Sequence, residues 1–592
     1  MEKYYTSERN AQIVIALLKA NNIRKIIVSP GATNITFVAS IQQDPYFEIY
    51  SSVDERSAAY MACGLAAESG EPVVLSCTGA TASRNYLPGL TEAFYRKLPV
   101  LAITSTQYEG RVGHHIPQVI DRSRPLNDIV HVSVSLPAVR DEEEAWSCEI
   151  NANKAILALK HRGGGPAHIN LATTYSRDYS VKELPSVRVI DRICAGDRFP
   201  EFPEGKVAVF VGSHPKWTSE QTEAVDRFCE AHDAVVFCDH TSNYKGRYRV
   251  LYSLVQNQKM LTTETNSVDL LIHIGEVSAS YYPSARTVWR VSEDGEIRDT
   301  FHKLRYVFEM SEQNFFGHYA GVSDRHSDEY LKNCRALYQK VYDAIPQNLP
   351  FSNVWTAYKM APLLPENSVL HFGILNTLRS WNFFEIPKSV FSDSNVGGFG
   401  IDGGVSSLIG ASLADPTRLC FGIFGDLAFF YDMNAVGNRH VGNNVRILII
   451  NNGRGTEFRQ YDHPGALFGD EADPYIAAAG HFGNKSQALI RHYAEDLGFE
   501  YMCASDKNEF EALYERFLSP EPAARPMLFE VFTDSGDESD ALRAIRSVEQ
   551  NTTGKLVDFA RSVMSEKQKS FIKKTLGLYL LAFCLIRIFA EY

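Results

Sequence analysis

Two turn dipeptides carry the chemistry that this chain offers. Gly425-Asp426 follows the apolar run Cys420 to Phe424, and Asn451-Asn452-Gly453 follows the apolar run Val445 to Ile450. Short runs rich in β-branched and aromatic residues, stopped by turn residues, predict buried strands of a parallel sheet. The segment between them, Ala428 to Gly442, predicts a helix, so the unit reads strand, loop, helix, strand. Adjacent strands of this kind set the turns at their carboxyl ends side by side, where open α/β sheets bind ligands. Asp426 and Asn452 then offer two hard oxygen donors to one point. Mg²⁺ takes such donors and often completes its shell with phosphate oxygens. Each dipeptide alone means only a turn, so the rest of the chain has to decide.

The elements that would position these residues form three α/β blocks. At 592 residues the chain predicts about three or four domains. In the first block, residues 1–183, strands are expected at Ile23 to Val28, Glu48 to Ser52, Pro72 to Ser76 and Pro99 to Thr104, with a helix from Glu55 to Ser69. The second, residues 184–345, follows a polar, proline-containing link and has strands at Val207 to Gly212, Val235 to Asp239 and Leu270 to Gly275, a Rossmann-like pattern. The third, residues 346–545, repeats the class of the first. This alternation predicts α/β architecture with three doubly wound parallel-sheet domains. A helical tail, residues 546–592, remains.

Composition narrows the partners. Hydrophobic content of 45% and charged content of 22% are those of a globular protein, and the net charge of −12 argues against nucleic acid. Ten cysteines are scattered without a CxxC pair, and Cys63, Cys77, Cys238 and Cys420 sit in apolar or helical contexts. They predict buried thiols in a reducing, cytoplasmic compartment. The first residues carry no apolar signal core. Thr575 to Ile586 is apolar but too short for an ordinary membrane span, so it predicts a helix docked on the protein or a partner subunit, with an interfacial membrane helix as the alternative.

The pattern Gly425-Asp426, 24 residues, Asn451-Asn452 resembles the diphosphate and metal motif of thiamine-diphosphate (ThDP) enzymes. Residues 54 to 93 (Asp54-Glu55-Arg56-Ser57-Ala58, Cys77-Thr78-Gly79-Ala80-Thr81, Asn85-Tyr86-Leu87-Pro88) are similar to the pyrimidine-binding domain of ThDP-dependent decarboxylases and carboligases. Within that superfamily the chain most resembles the menaquinone-pathway carboligases, through Ser29-Pro30-Gly31, Ser394-Asn395, Gly400-Ile401-Asp402-Gly403 and Tyr431-Asp432-Met433-Asn434-Ala435 as well. The resemblance implies a pyrimidine-binding, a central Rossmann-like and a diphosphate-binding domain, in that order. It implies metal ligation by Asp426, Asn452 and the Arg454 carbonyl. Cofactor contacts follow at Gly31, Thr78, Asn85, Gly373, Asn376, Gly425, Leu427 and Ala428, with Ile401 supporting the bent cofactor.

It further implies ThDP and Mg²⁺ as cofactors and decarboxylation of a small 2-oxo acid through an ylide and an enamine. Carboligation to a second carbonyl follows, or simple release of an aldehyde. Glu55 would share a proton with the cofactor's pyrimidine, a role suited to a carboxyl whose charge is costly where it sits. A cofactor held between the first domain of one subunit and the third of another implies a homodimer or a dimer of dimers. His114, His115 and Gln118 fall where the family places active-site side chains, and the histidines suit proton transfer at neutral pH. Arg379 matches a substrate-facing arginine. Glu457, Arg459 and His463, in the polar loop after Asn452, are candidate substrate contacts.

Plainer readings stand beside these: a helix-start acid stabilised by the dipole for Glu55, a core aliphatic for Ile401, solvated loops for the histidine pair and for 454–464. A non-catalytic ThDP-binding paralogue and a flavin-binding relative are further alternatives. The chain also departs from the menaquinone enzymes. Two of their carboxylate-gripping arginines are replaced, by Ala32-Thr33 after the Ser-Pro-Gly turn and by Val396 after Ser394-Asn395. Loss of two bidentate clamps predicts a different substrate.

Overall fold

The computed structural model describes residues 4–549 apart from 123, 260, 262–263, 281, 322–326, 482–484 and 522. From residue 550 on, the expected helical tail and its apolar run lie outside the described residues. Three parallel sheets carry the α/β fold. The first comprises β1 (Lys25–Val28), β2 (Glu48–Ser51), β3 (Val73–Thr78), β4 (Val100–Thr106), β5 (Val132–Leu136) and β6 (Ala167–Ala172), in the order β2-β1-β3-β4-β6-β5. The middle sheet comprises β7 (Asp191–Cys194), β8 (Val207–Val211), β9 (Val235–Cys238), β10 (Arg249–Leu251), β11 (Ser267–Ile274), β12 (Ser284–Val291) and β13 (Leu304–Glu309), in the order β10-β9-β8-β11-β12-β13-β7. The third comprises β14 (Val369–Phe372), β15 (Phe391–Ser394), β16 (Cys420–Gly425), β17 (Val445–Asn451), β18 (Glu500–Ala504) and β19 (Met527–Phe532), in the order β15-β14-β16-β17-β19-β18.

Central strands are buried along their whole length because both faces are covered. All seven residues of β4 and all seven of β17 are buried, whereas the edge strand β2 is exposed throughout. The helix Glu55–Ser69 is cut to length by its caps. The Asp54 carboxylate accepts from the Arg56 and Ser57 amides, and Gly70 ends it at φ +68.

The expected helix from Ala428 to Gly442 is shorter and starts earlier. It runs Asp426–Asp432, then tightens into the 3₁₀ turn Met433–Gly437. Asn434, Gly437, Asn438 and Gly442 are poor helix formers. The buried Asp432 carboxylate is also taken by the Ser406 amide at 2.6 Å and hydroxyl at 2.7 Å.

Contacts divide the chain into two compact units, Met1–Glu201 with Thr287–Ser311, and Phe202–Arg286 with Glu312–Tyr592. Within the first unit, Asp299 accepts from Trp146 and Arg188, both at 2.8 Å, and Glu309 accepts from Arg162 at 3.2 Å. These bonds tie Thr287–Ser311 to the chain that precedes it. Nine cysteines are free thiols among the described residues, and Cys63, Cys77, Cys238 and Cys420 are all buried. Among those residues no helix is long and apolar enough to cross a membrane.

Candidate functional site

The third sheet reverses its strand order between β14 and β16, so the turns after these strands flank the crevice where such sheets bind ligands. Gly373 follows β14, and Gly425 ends β16. Parallel pairing sets Gly425 opposite Ile450, which brings Asp426 level with the start of the Asn-Asn turn. Asp426 is only 3% exposed. Burial pushes its pKa up to about 7, against the pull of the amides of Leu427, Asp426 itself, Gly453 and Asn452. Among the described residues no cationic side chain pairs with it.

The two asparagines divide their work. Asn451 fastens β17, its amide donating to the buried Glu530 carboxylate at 2.6 Å while its oxygen accepts from the Gly453 amide at 3.2 Å. The Asn452 side-chain oxygen is buried and accepts no hydrogen bond. Such an acceptor is costly unless something outside the chain fills it. The Arg454 carbonyl accepts from the Thr456 amide at 2.9 Å and keeps a second lone pair. Carboxylate, amide oxygen and peptide carbonyl form a hard-oxygen donor set with one negative charge. That set suits a divalent cation which arrives with a phosphate-bearing ligand. Among the described residues no group of three or more His, Cys, Asp or Glu could hold a metal instead.

Around this point the other expected contacts have settled partners. The Gly373 amide donates to the Ile423 carbonyl at 2.8 Å. Asn376 donates to the Glu538 carboxylate at 3.4 Å and accepts from Gln460 at 3.3 Å. Leu427, Ala428 and Ile401 are each partly exposed. Ile401 lies in a turn that ends at Gly403, φ +76. A Cβ on Gly404 would come within 2.9 Å of the Phe424 ring, so the chain passes tightly over β16 here.

The candidate substrate residues are paired within the protein. Arg379 is held by Glu457 in a two-pronged ion pair at 2.8 and 2.6 Å, so its charge is already matched. Arg454 bonds Asp473 at 2.6 Å, and Arg459 bonds Asp473 at 2.8 Å and Asp470 at 2.9 Å. The His463 ring nitrogen accepts from the Gly465 amide at 3.0 Å and caps the 3₁₀ stretch Pro464–Ala472. The polar loop is therefore knitted to itself. Just beyond it, Leu467 at 87% and Tyr475 at 93% exposure stand out among exposed acidic residues such as Asp470 and Glu471. Val396, in the place of an arginine, is buried.

The first sheet shows the same reversal between β1 and β3, whose following turns hold Gly31 and Gly79. A Cβ on Gly31 would lie 2.5 Å from the Thr78 Cβ, so only glycine lets the Ser-Pro-Gly turn approach β3. Glu55 opens its helix partly exposed, and Asn85 donates to its carboxylate at 3.2 Å. His114, His115 and Gln118 are exposed in the loop after β4, with His115 at φ +55 and Gln118 at φ +66. Among the described residues no hydrogen bond joins that trio to Glu55.

Two buried groups escaped the sequence reading. Glu538, 1% exposed, accepts from the Asn353 amide at 2.9 Å and the Thr533 hydroxyl at 2.8 Å, and burial pushes its pKa up to about 7. Arg122, four residues after Gln118, is buried. Neither has a local signal: Glu538 sits in an acidic stretch that reads as a solvated helix, and Arg122 in a charged loop.

The donor set, the crevice and the strand order suit a doubly wound α/β protein that takes a phosphate-bearing ligand with a divalent cation. Residues 9–124 match the family described as thiamine pyrophosphate enzyme, N-terminal TPP binding domain. The chain is 32% identical over 564 residues to the 2-succinyl-5-enolpyruvyl-6-hydroxy-3-cyclohexene-1-carboxylate synthase of Phocaeicola vulgatus, covering 91% of this chain and 98% of that one. It is 29% identical over 566 residues to the synthase of the same name from Bacteroides thetaiotaomicron, with the same coverage of 91% and 98%. A solved thiamine diphosphate-dependent 4-hydroxybenzoylformate decarboxylase from Rhodococcus jostii aligns at 16% identity and a TM-score of 0.39, covering 89% of this chain and 99% of that one. The chain belongs to the ThDP-dependent enzyme family that includes these synthases.

Proposed function

We propose that this chain binds ThDP with Mg²⁺, removes CO₂ from a small 2-oxo acid, and joins the remaining fragment to a second carbonyl compound. The observation that carries the reading is the unfilled Asn452 oxygen beside the buried, unpaired Asp426 carboxylate. These two and the Arg454 carbonyl would hold the cation. Gly373, Asn376, Gly425, Leu427 and Ala428 would flank the diphosphate, with Ile401 beneath the bend of the cofactor. When bound, ThDP supplies the electron sink for breaking the carbon–carbon bond. Glu55, oriented by Asn85, would share a proton with the pyrimidine next to Gly31 and Thr78. His114 and His115 would move protons near the reacting carbon, and Gln118 would hydrogen-bond there.

A second copy of the chain completes the site in this reading. The helix that starts at Glu55 leaves Tyr60 and Met61 exposed, and Val53 and Tyr95 are exposed nearby in sequence or packing. Such surface suits a homodimer or a dimer of dimers. Buried thiols are consistent with a cytoplasmic setting.

The substrate differs from that named for the relatives. Where their enzymes grip carboxylates, this chain has Ala32 and a buried Val396, and Arg379 is matched by Glu457. The same observation favours a second reading, a simple 2-oxo acid decarboxylase that releases an aldehyde. The test is CO₂ release from a panel of 2-oxo acids with ThDP and Mg²⁺, beside a Glu55→Gln control. Release with one acid, lost in the control, supports the chemistry, and product analysis with added carbonyl acceptors separates ligation from aldehyde release. Failure to bind ThDP would end the reading.

A further inference from the structure

A cavity of about 80 Å³ lies against the first sheet, bounded by Leu87, Leu90, Ile129 and Val130, with Arg122 and His168 on its polar side. That space is several times what a single buried water needs. Arg122 is 8% exposed. One of its terminal nitrogens donates to the Asn170 side-chain oxygen at 2.5 Å. Its Nε and its other terminal nitrogen are buried and have no hydrogen-bond partner. An unmatched buried guanidinium is among the costliest features a fold can keep.

The surroundings add no negative charge to match it. His168 is held between the Thr104 hydroxyl at 2.6 Å and the Ser133 hydroxyl at 2.8 Å, and burial, then the Arg122 charge, push its pKa down to about 3. It is neutral. Two exposed arginines, Arg84 and Arg124, also line the cavity and make its potential more positive. Burial pulls the Arg122 pKa down to about 10, so it stays charged at neutral pH.

We infer that this cavity is an anion site: Arg122 grips the carboxylate of a small monocarboxylate whose short apolar body lies among Leu87, Leu90, Ile129 and Val130. Guanidinium and carboxylate pair through in-plane hydrogen bonds, and the terminal nitrogen of Arg122 that has no partner in the protein is free to donate one. Apolar side chains, Ala102, Pro125 and Leu126 among them, make up much of the wall beside Ser83, Tyr86 and Thr104, which suits an anion with an apolar body better than a phosphate, whose oxygens all need donors. The site also touches the cofactor half-site. A Cβ on Gly79, the residue after Thr78, would come 3.4 Å from both Arg122 terminal nitrogens. An occupant of the cavity therefore bears on the turn beside the pyrimidine contacts.

The test does not depend on the proposed reaction, because its probe does not react. Isobutyrate is titrated into the full chain by calorimetry and by thermal melting, with inorganic phosphate in parallel, for wild type, Arg122→Gln and Arg122→Lys. The expected result is saturable isobutyrate binding that raises the wild-type melting temperature, weakened at least tenfold in Arg122→Gln and partly kept in Arg122→Lys. Arg122→Gln should itself melt no lower than wild type, since it removes an unmatched charge. Equal isobutyrate affinity in wild type and Arg122→Gln, no binding to wild type, or tighter binding of phosphate would each overturn the inference. With the site in hand, kinetics separate the two sources of such a carboxylate. Competition with the 2-oxo acid makes it part of the substrate's path. A fall in turnover without competition makes it a separate effector.

Discussion

The first and third sheets share one strand order, two-one-three-four-six-five counted within each, yet their crevices are furnished in opposite ways. After β16 and β17 the chain buries a carboxylate that no cationic side chain pairs among the described residues and an amide oxygen that accepts no hydrogen bond. After β1 and β3 it offers a close-packed glycine turn, with a partly exposed Glu55 at a nearby helix start. One crevice is incomplete in charge and suits a cation with its phosphates. The other buries no carboxylate at its turns and suits a flat, neutral group and one shared proton. Topology decides where a ligand goes, and the few residues at strand ends decide what kind it is.

The strongest way to break this contrast is Asp426→Ala. It should cost on the order of 10³-fold in Mg²⁺-dependent turnover, with little change in the melting temperature of the metal-free protein, because relief of a costly buried charge offsets the lost acceptor for the amides of Leu427, Asn452 and Gly453. Retained Mg²⁺-dependent ThDP binding, followed by tryptophan fluorescence, would remove Asp426 from the cation site. In the other crevice, Glu55→Gln should lower CO₂ release by about 10²–10⁴-fold while leaving Mg²⁺-dependent ThDP binding largely intact. If it abolished binding as Asp426→Ala does, the two crevices would not differ as described.

The third crevice also stores pH dependence. The Glu538 pKa in the fold, about 7, lies above the 4.5 of the free group. Below 4.5 the carboxyl is protonated whether folded or not, so its burial carries no charge penalty. As pH rises toward 7 the unfolded chain ionises first, and stability falls by about 3 kcal/mol in all. Glu538→Gln should flatten that part of the stability–pH curve, measured by urea unfolding between pH 4.5 and 7.5. An unchanged slope would show that Glu538 is ionised at low cost.

Neighbouring asparagines sharpen the comparison further. Asn451→Ala should cost about 1–3 kcal/mol, since Glu530 loses a donor in the core. Asn452→Ala should leave stability nearly unchanged and weaken Mg²⁺ binding at least about tenfold. The smallest contrast is between glycines. Gly31→Ala should destabilise by about 1–3 kcal/mol through its clash with Thr78. Gly373→Ala, whose Cβ would meet Phe424 at an ordinary 3.4 Å, should stay within about 0.5 kcal/mol.

Much of this was legible locally. The helix from Glu55 to Ser69 has the bounds that Asp54 and Gly70 dictate. The strands before Asp426 and Asn452 announce themselves by apolar runs and turn residues. The helix after Asp426 was misjudged in length because its end depends on Asp432 meeting Ser406, a partner 26 residues away. Arg379 matches a substrate-facing arginine of the family, and its ion pair with Glu457, 78 residues on, has no mark in either local sequence.

The sequence by itself determined the α/β alternation, the ends of the strands and the two turn chemistries, because apolar periodicity, caps and glycines act over a few residues. Only the tertiary structure decided which asparagine is spent on the sheet and which is left open. It alone matched Arg379 and left Arg122 buried without a charge to match. Pairing and burial join residues far apart in the chain, and an ionisable side chain carries no sign of its partner until the fold brings one to it or withholds it.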